Sequence, residues 1–305
     1  MLHRLAIFAC LCNIPGVGPS PKSLILDLLS TVRRGNVPVR ALVDAAQLFG
    51  IAENSLRVAL ARLHGAGLVE RDERGQYTLG AAAQAVNRQV TAWRSTEARM
   101  RPWRGGWVGV QTSAPSRSDR PALRRRARAL RLLGFRELVQ GLELRPDNLS
   151  GGIPTVRNQL YALGLEPAAM VLGLSALDAD TESRARGLWD VESLDVAYDA
   201  MRRELEQSSE RLPRMEREAA MAESFLCGGR VLRLLVLDPL LPEPIASAAP
   251  RRALVTAMRH YDRLGRACWA GQLGVFHSAR QHTPANLGML DTPGRLALSA
   301  TGATI

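Results

Sequence analysis

Asn54, Ser55, Arg57 and Arg62 fall within nine residues of one another, interleaved with Leu56, Leu60 and Leu63. A helix through these positions turns the three leucines to one side. It turns Asn54, Ser55, Arg57, Val58, Ala61 and Arg62 to the other. Arginine can donate two hydrogen bonds to guanine O6 and N7, and asparagine can pair with adenine N6 and N7, when a major groove presents them. A serine or asparagine at the start of such a helix can hold a phosphate through its side chain. The plain alternative is that Arg57 and Arg62 only solvate an exposed face. The flanking elements decide between the two.

Upstream, Leu24, Ile25, Leu28 and Leu29 recur at helical spacing, with Gly35 shortly beyond. A second helix is predicted over Val39–Phe49 and stopped by Gly50, and Gly65 and Gly67 end the third. Leu68–Arg71 and Gln76–Leu79 then flank the charged turn Asp72–Gly75, which predicts a hairpin. Helix, helix, helix, hairpin is the order of a winged helix-turn-helix. That context favours base reading for the third helix. Arg33, Arg34 and Arg40 become candidate backbone contacts, as do Arg71 and Arg74 in the wing. The wing sequence Asp72-Glu73-Arg74-Gly75 is acidic for a phosphate grip.

The whole chain has 305 residues and carries 40 basic against 29 acidic side chains, a net charge of +11, with Lys22 its one lysine. Such a surplus favours polyanionic partners without proving one. The length allows two or three domains. Cys10, Cys12, Cys227 and Cys268 form neither a disulfide framework nor a zinc-ligand pattern, which suits a reduced cytoplasm. The apolar run Leu2–Ile14 is too short to span a bilayer, and no small-x-small cleavage site follows it. Residues 1–20 are expected to be a loose extension or the product of an upstream start codon. No other segment is apolar enough for a membrane.

Beyond a linking helix over Ala81–Ala98, the patterning predicts a strand at Trp107–Thr112 and a helix at Arg120–Leu133. Extended segments follow at Phe135–Val139 and Gly141–Arg145, then a helix at Pro154–Leu163 and a strand at Met170–Leu174. This is the ferredoxin-like order. After an acidic loop around Asp178–Glu182 the chain reads as helical. Asp190 caps one helix, Pro213 breaks the region, a further helix runs through Phe225, and a last one covers Arg251–Trp269. The tail from Gly271 is expected to be poorly ordered. With Leu123, Ala127 and Leu130 turned inward, the run Arg124-Arg125-Arg126-Ala127-Arg128 is a solvated face first and an anion site second.

Gly16–Ser23 misses a phosphate-binding loop, because Pro21 has no N–H where the second glycine is needed and no strand precedes it. His3, His64, His260, His277 and His282 show no paired spacing, and Asp238 before Pro239 suits a turn. No catalytic residue and no metal site is assigned, and no cofactor is expected.

The chain resembles the PaaX-type phenylacetic-acid-degradation repressors over roughly residues 21–270. The likeness rests on Pro21-Lys22-Ser23-Leu24-Ile25, the third helix Ser55–Leu63, the Trp107 strand and Leu132-Leu133-Gly134-Phe135. It continues through Arg145-Pro146-Asp147-Asn148-Leu149, Gly187-Leu188-Trp189-Asp190 with Leu194 and Ala197-Tyr198, and Leu237-Asp238-Pro239-Leu240-Leu241-Pro242. The expectation is an α+β chain. It comprises an extension (1–20), a winged helix-turn-helix (21–85), a linking helix (86–105) and a ferredoxin-like domain (106–178). A mostly helical effector and dimerisation domain (179–270) and a tail (271–305) complete it. The resemblance implies a homodimeric repressor on a double-stranded operator, released by an acyl-CoA such as phenylacetyl-CoA. Arg124, Arg125, Arg128, Trp189 and Tyr198 are then candidate effector contacts. The alternative is a nucleic-acid-processing enzyme or nuclease using the ferredoxin-like domain, with the winged helix serving protein contact.

Overall fold

The computed structural model describes residues 18–31, 36–112 and 119–270. Arg33, Arg34, Cys10, Cys12, the run Leu2–Ile14 and the tail 271–305 lie outside the described residues. The chain mixes helices with two antiparallel sheets. In the first part, α1 (Pro21–Thr31), α2 (Val39–Gln47) and α3 (Glu53–Gly65) enclose a core of Leu24, Ile25, Leu28, Leu42, Ala46, Leu56, Leu60 and Leu63. Each large aliphatic side chain removed from water here stabilises the fold by about 1.5–3 kcal/mol. A hairpin of β2 (Val69–Arg71) and β3 (Gln76–Leu79) follows, pairing Val69 with Leu79 and Arg71 with Tyr77. The sheet has a third strand that the sequence pattern does not announce. Val37–Pro38 (β1) pairs with β3, Val37 opposite Tyr77, and two residues are too few to show any alternation. Gly80 closes this unit: a Cβ there would lie 2.4 Å from the Gly67 carbonyl oxygen, so only glycine lets the hairpin exit pass so close to the end of α3.

The linking helix is shorter than periodicity predicts. It runs as α4 (Ala81–Thr91) and gives way to single turns of 3₁₀ helix at Ala92–Ser95 and Glu97–Arg99. Three hydroxyls compete for its carbonyls, Thr91 donating to Asn87 O (2.9 Å), Ser95 to Ala92 O (3.2 Å) and the buried Thr96 to Trp93 O (2.7 Å).

The second sheet has the order β5-β6-β4-β7, from β4 (Trp107–Gln111), β5 (Arg136–Val139), β6 (Leu142–Pro146) and β7 (Met170–Leu174). Every neighbouring pair is antiparallel. Helix α5 (Arg120–Leu132) joins β4 to β5, and α6 (Gly152–Ala162) joins β6 to β7. The central strand alternates. Val108 and Val110 pack with Ala129, Leu130, Val156 and Leu160, whereas Trp107 meets Leu144, Ala185, Trp189 and Leu241.

Where the sequence suggests an acidic loop, the chain forms α7 (Ala179–Arg186). Asp178 accepts hydrogen bonds from Thr181 N (2.9 Å) and Thr181 Oγ1 (2.7 Å), and Asp180 and Glu182 stand in the first turn, where negative charge suits the helix dipole. Asp190 caps α8 (Val191–Arg211) through Ser193, and a turn at Leu212–Arg214 carries Pro213. Helix α9 continues past Phe225, as one element over Arg217–Val236. It includes Gly228, where a Cβ would make ordinary contact with the Tyr261 ring at 3.6 Å. Helix α10 (Ala249–Cys268) packs against α9, with Tyr261 and Met258 lying over Gly228.

Candidate nucleic-acid interface

Helix α3 buries Leu56, Leu60 and Leu63 and exposes Asn54, Ser55, Arg57, Val58, Ala61 and Arg62. The six proposed readers thus share one surface. Val58 stands 41% exposed, an apolar branched side chain open to solvent between Asn54, Ala61 and Arg62. No side chain caps the N-terminus of α3, and Glu53 stands in its first turn. Arg57 is already engaged. Its Nε and Nη2 lie 2.7 and 2.6 Å from one carboxylate oxygen of Glu53, one turn earlier. Arg40, on α2, is exposed as well.

Two of the wing's carboxylates are engaged by backbone N–H groups. Asp72 Oδ1 accepts from the Arg74 and Gln76 backbone N–H groups (3.0 and 2.8 Å), and Oδ2 accepts from the Asn36 amide. Glu70 accepts from Ala81 N (3.1 Å), at the start of α4. Two of the three acids therefore hold backbone, and Glu73 is exposed at the tip, as are Arg71 and Arg74. The Gln76 N–H, with the Asn36 amide and Arg74, holds the Asp72 carboxyl below its ordinary pKa. A depressed carboxylate pKa contributes stability above the unfolded value that is lost as pH falls through the folded one. The wing is thus expected to loosen only below the usual carboxylate range. Asp72→Ala should reproduce that loosening at neutral pH, read as faster amide exchange at Arg74 and Gln76. Unchanged exchange would mean the turn holds itself.

This three-helix and hairpin unit matches a known family. Residues 20–83 fit the family model described as PaaX-like protein. The region is PaaX-like. Over a longer span the chain is similar in structure to the uncharacterized protein Rv0674 from Mycobacterium tuberculosis. The TM-score is 0.51 and the identity 22%, over 82% of this chain and 98% of that one, a likeness of fold alone. No curated protein matches the chain.

The PaaX-like region is not isolated from the rest. Phe49, in the turn between α2 and α3, meets Phe225 of α9 with ring centroids 5.1 Å apart, and Phe225 meets Trp269 at 6.1 Å. The turn that sets the angle of α3 is thereby tied to the C-terminal helices.

The residues proposed for an effector lie in three settings. On α5 only Arg124 is exposed among Arg124, Arg125, Arg126 and Arg128. The Arg125 stem covers Gly164, Arg126 pairs with Glu166, and Arg128 donates to Leu163 O (3.4 Å). Ala127, expected inward, is exposed, and Leu123 is half-buried. The helix is rotated because the arginine stems pack on the loop after α6 while Ala129, Leu130 and Leu132 fill the core. Trp189 is buried, its ring stacked on Trp107 at 6.3 Å and its Nε1 donating to Gly134 O (3.2 Å). Tyr198 is buried beside Asp238, among the C-terminal helices.

Sequence reasoning passed over a buried polar junction. Arg145, 1% exposed, donates to the carbonyls of Leu133 and Pro146 and to Asn148 Oδ1 (2.9 Å), and Asn148 Nδ2 donates to Leu240 O (2.7 Å). Asp238 accepts from Leu240 N (2.8 Å). Burial pushes its carboxyl up, opposed chiefly by Arg251. The motifs around Arg145 and around Asp238 are thus two halves of one contact. Among the described residues no three His, Cys, Asp or Glu side chains gather to hold a metal, and no helix is long and apolar enough to cross a membrane.

Proposed function

We propose that the protein is a sequence-specific DNA-binding transcription regulator, acting as a repressor without catalysing a reaction. The observation that carries this reading is the outward face of α3, where Asn54, Arg57 and Arg62 stand exposed over a leucine spine. The PaaX-like match over residues 20–83 is consistent with a regulator and supports it. Here Pro21–Gly80 acts as a winged helix, α3 enters the major groove, and Arg40, Arg71 and Arg74 hold phosphates. The β4–β7 sheet with α5 and α6 forms a ferredoxin-like middle domain, and α8–α10 form the effector and dimerisation part. A cytoplasmic homodimer matches a palindromic operator. An acyl-CoA thioester such as phenylacetyl-CoA releases the DNA by binding the DNA-incompetent state more tightly. The Phe49–Phe225–Trp269 contact gives that signal a path to α3.

Fluorescence anisotropy with the DNA upstream of the protein's own gene tests the reading. The expected result is a saturable complex at moderate salt that outcompetes unrelated duplex and weakens when the acyl-CoA is added. Equal affinity for unrelated DNA overturns the regulator. A flat response to all acyl-CoA thioesters removes the ligand alone.

A further inference from the structure

Arg57 carries two hydrogen-bonding edges, a side-on edge formed by Nε and Nη2 and an end-on edge formed by Nη1 and Nη2. The side-on edge is taken: Nε at 2.7 Å and Nη2 at 2.6 Å both point to one oxygen of Glu53. The end-on edge, with the Nη1 donors, is turned away from that carboxylate. Both side chains are about half exposed on the face that also carries Asn54, Val58, Ala61 and Arg62. A bare carboxylate on a DNA-facing helix would be repelled by phosphates. Here its charge is matched by the guanidinium it holds.

We infer that Glu53 is a specificity-determining positioning residue: it clamps the side-on edge of Arg57, so that the guanidinium reads guanine O6 and N7 end-on. The inference rests on the reading of α3 as the groove-entering helix. Without the clamp a long arginine has many rotamers, and most of them reach phosphates as readily as bases. Held by Glu53, the fork keeps one orientation, and two parallel acceptors on one base edge satisfy it. The plain role for an acid at this position is to favour the positive end of the helix dipole. That role affects helix stability and leaves base preference unchanged.

The full-length protein is tested by selection from a library of random-sequence duplex DNA, with wild type, Glu53→Ala, Arg57→Ala and the double variant compared. Wild type is expected to enrich a motif containing a guanine whose preference disappears in Arg57→Ala. Glu53→Ala should weaken that one preference by about fivefold to tenfold and leave the other positions alone. The double variant should match Arg57→Ala. Glu53→Gln, which keeps the side chain's length, serves as the second variant, with an unchanged thermal midpoint and a partial loss at the same base. A motif unchanged by Glu53→Ala, or weakened equally at every position, overturns the inference. A wild-type motif that Arg57→Ala leaves intact overturns it while the DNA-reading role stands. If wild type enriches no motif, both fall.

Discussion

Arg145→Ala is expected to lower the free energy of unfolding by about 3 kcal/mol or more, because each buried acceptor left without its donor costs about 1–3 kcal/mol. The side chain is 1% exposed and serves three acceptors at once: the Leu133 and Pro146 carbonyls and Asn148 Oδ1. Alanine leaves all three without this donor inside the protein, in addition to a cavity. Burial, with Arg99 nearby, brings the Arg145 pKa down to about 9, so the group remains charged at neutral pH. Arg145→Lys keeps the charge but replaces a planar fork by a point donor, and should recover little of the loss. Asn148 passes the contact on to Leu240, so sheet and C-terminal segment should weaken together. Urea unfolding of the three proteins checks this. Either a loss under 1 kcal/mol in Arg145→Ala or full recovery by lysine would show the junction to be incidental.

The second large effect concerns recognition. Arg57→Ala and Arg62→Ala are each expected to cost about 1–3 kcal/mol of operator affinity, hence about 2–6 kcal/mol together if they act independently. Both side chains lie outside the core, so stability should move by no more than about 0.5 kcal/mol. Titration against single-base operator variants distinguishes base readers from phosphate contacts. Loss of preference at one base for each arginine is the expected pattern. A uniform loss over all sequences, with the salt slope reduced by about one per arginine, would make them backbone contacts.

How far the sequence led depended on distance along the chain. Leu56, Leu60 and Leu63 show their burial through spacing alone, and Met170–Leu174 is a strand with the predicted limits. Local period also marks α1, α2 and the hairpin. What it does not carry is partnership. Nothing in Asp72-Glu73-Arg74-Gly75 says that Asp72 is bound by Asn36, and nothing near Arg145 says that Asn148 will meet Leu240, far along the chain. The buried face of α5 departs from its sequence pattern for a related reason. Arginine stems count as polar in any pattern, yet those of Arg125 and Arg126 lie against the loop after α6 and turn Ala127 outward. The third helix was legible as a surface. The four-residue spacing of Glu53 and Arg57 was open to a helix ion pair, but which edge of the guanidinium it takes is a matter of side-chain geometry.

The proposed regulator role stands on α3 being the element that enters DNA. Photocrosslinking tests it most directly, with benzoylphenylalanine placed at Ala61 on the outward face of α3 or, as the comparison, at Val196, which is 64% exposed on α8. With the upstream duplex at moderate salt, position 61 is expected to crosslink to a few defined bases within the protected site, and position 196 is expected to give no crosslink. Equal crosslinking from both positions, or bases scattered along the duplex from position 61, would contradict the account.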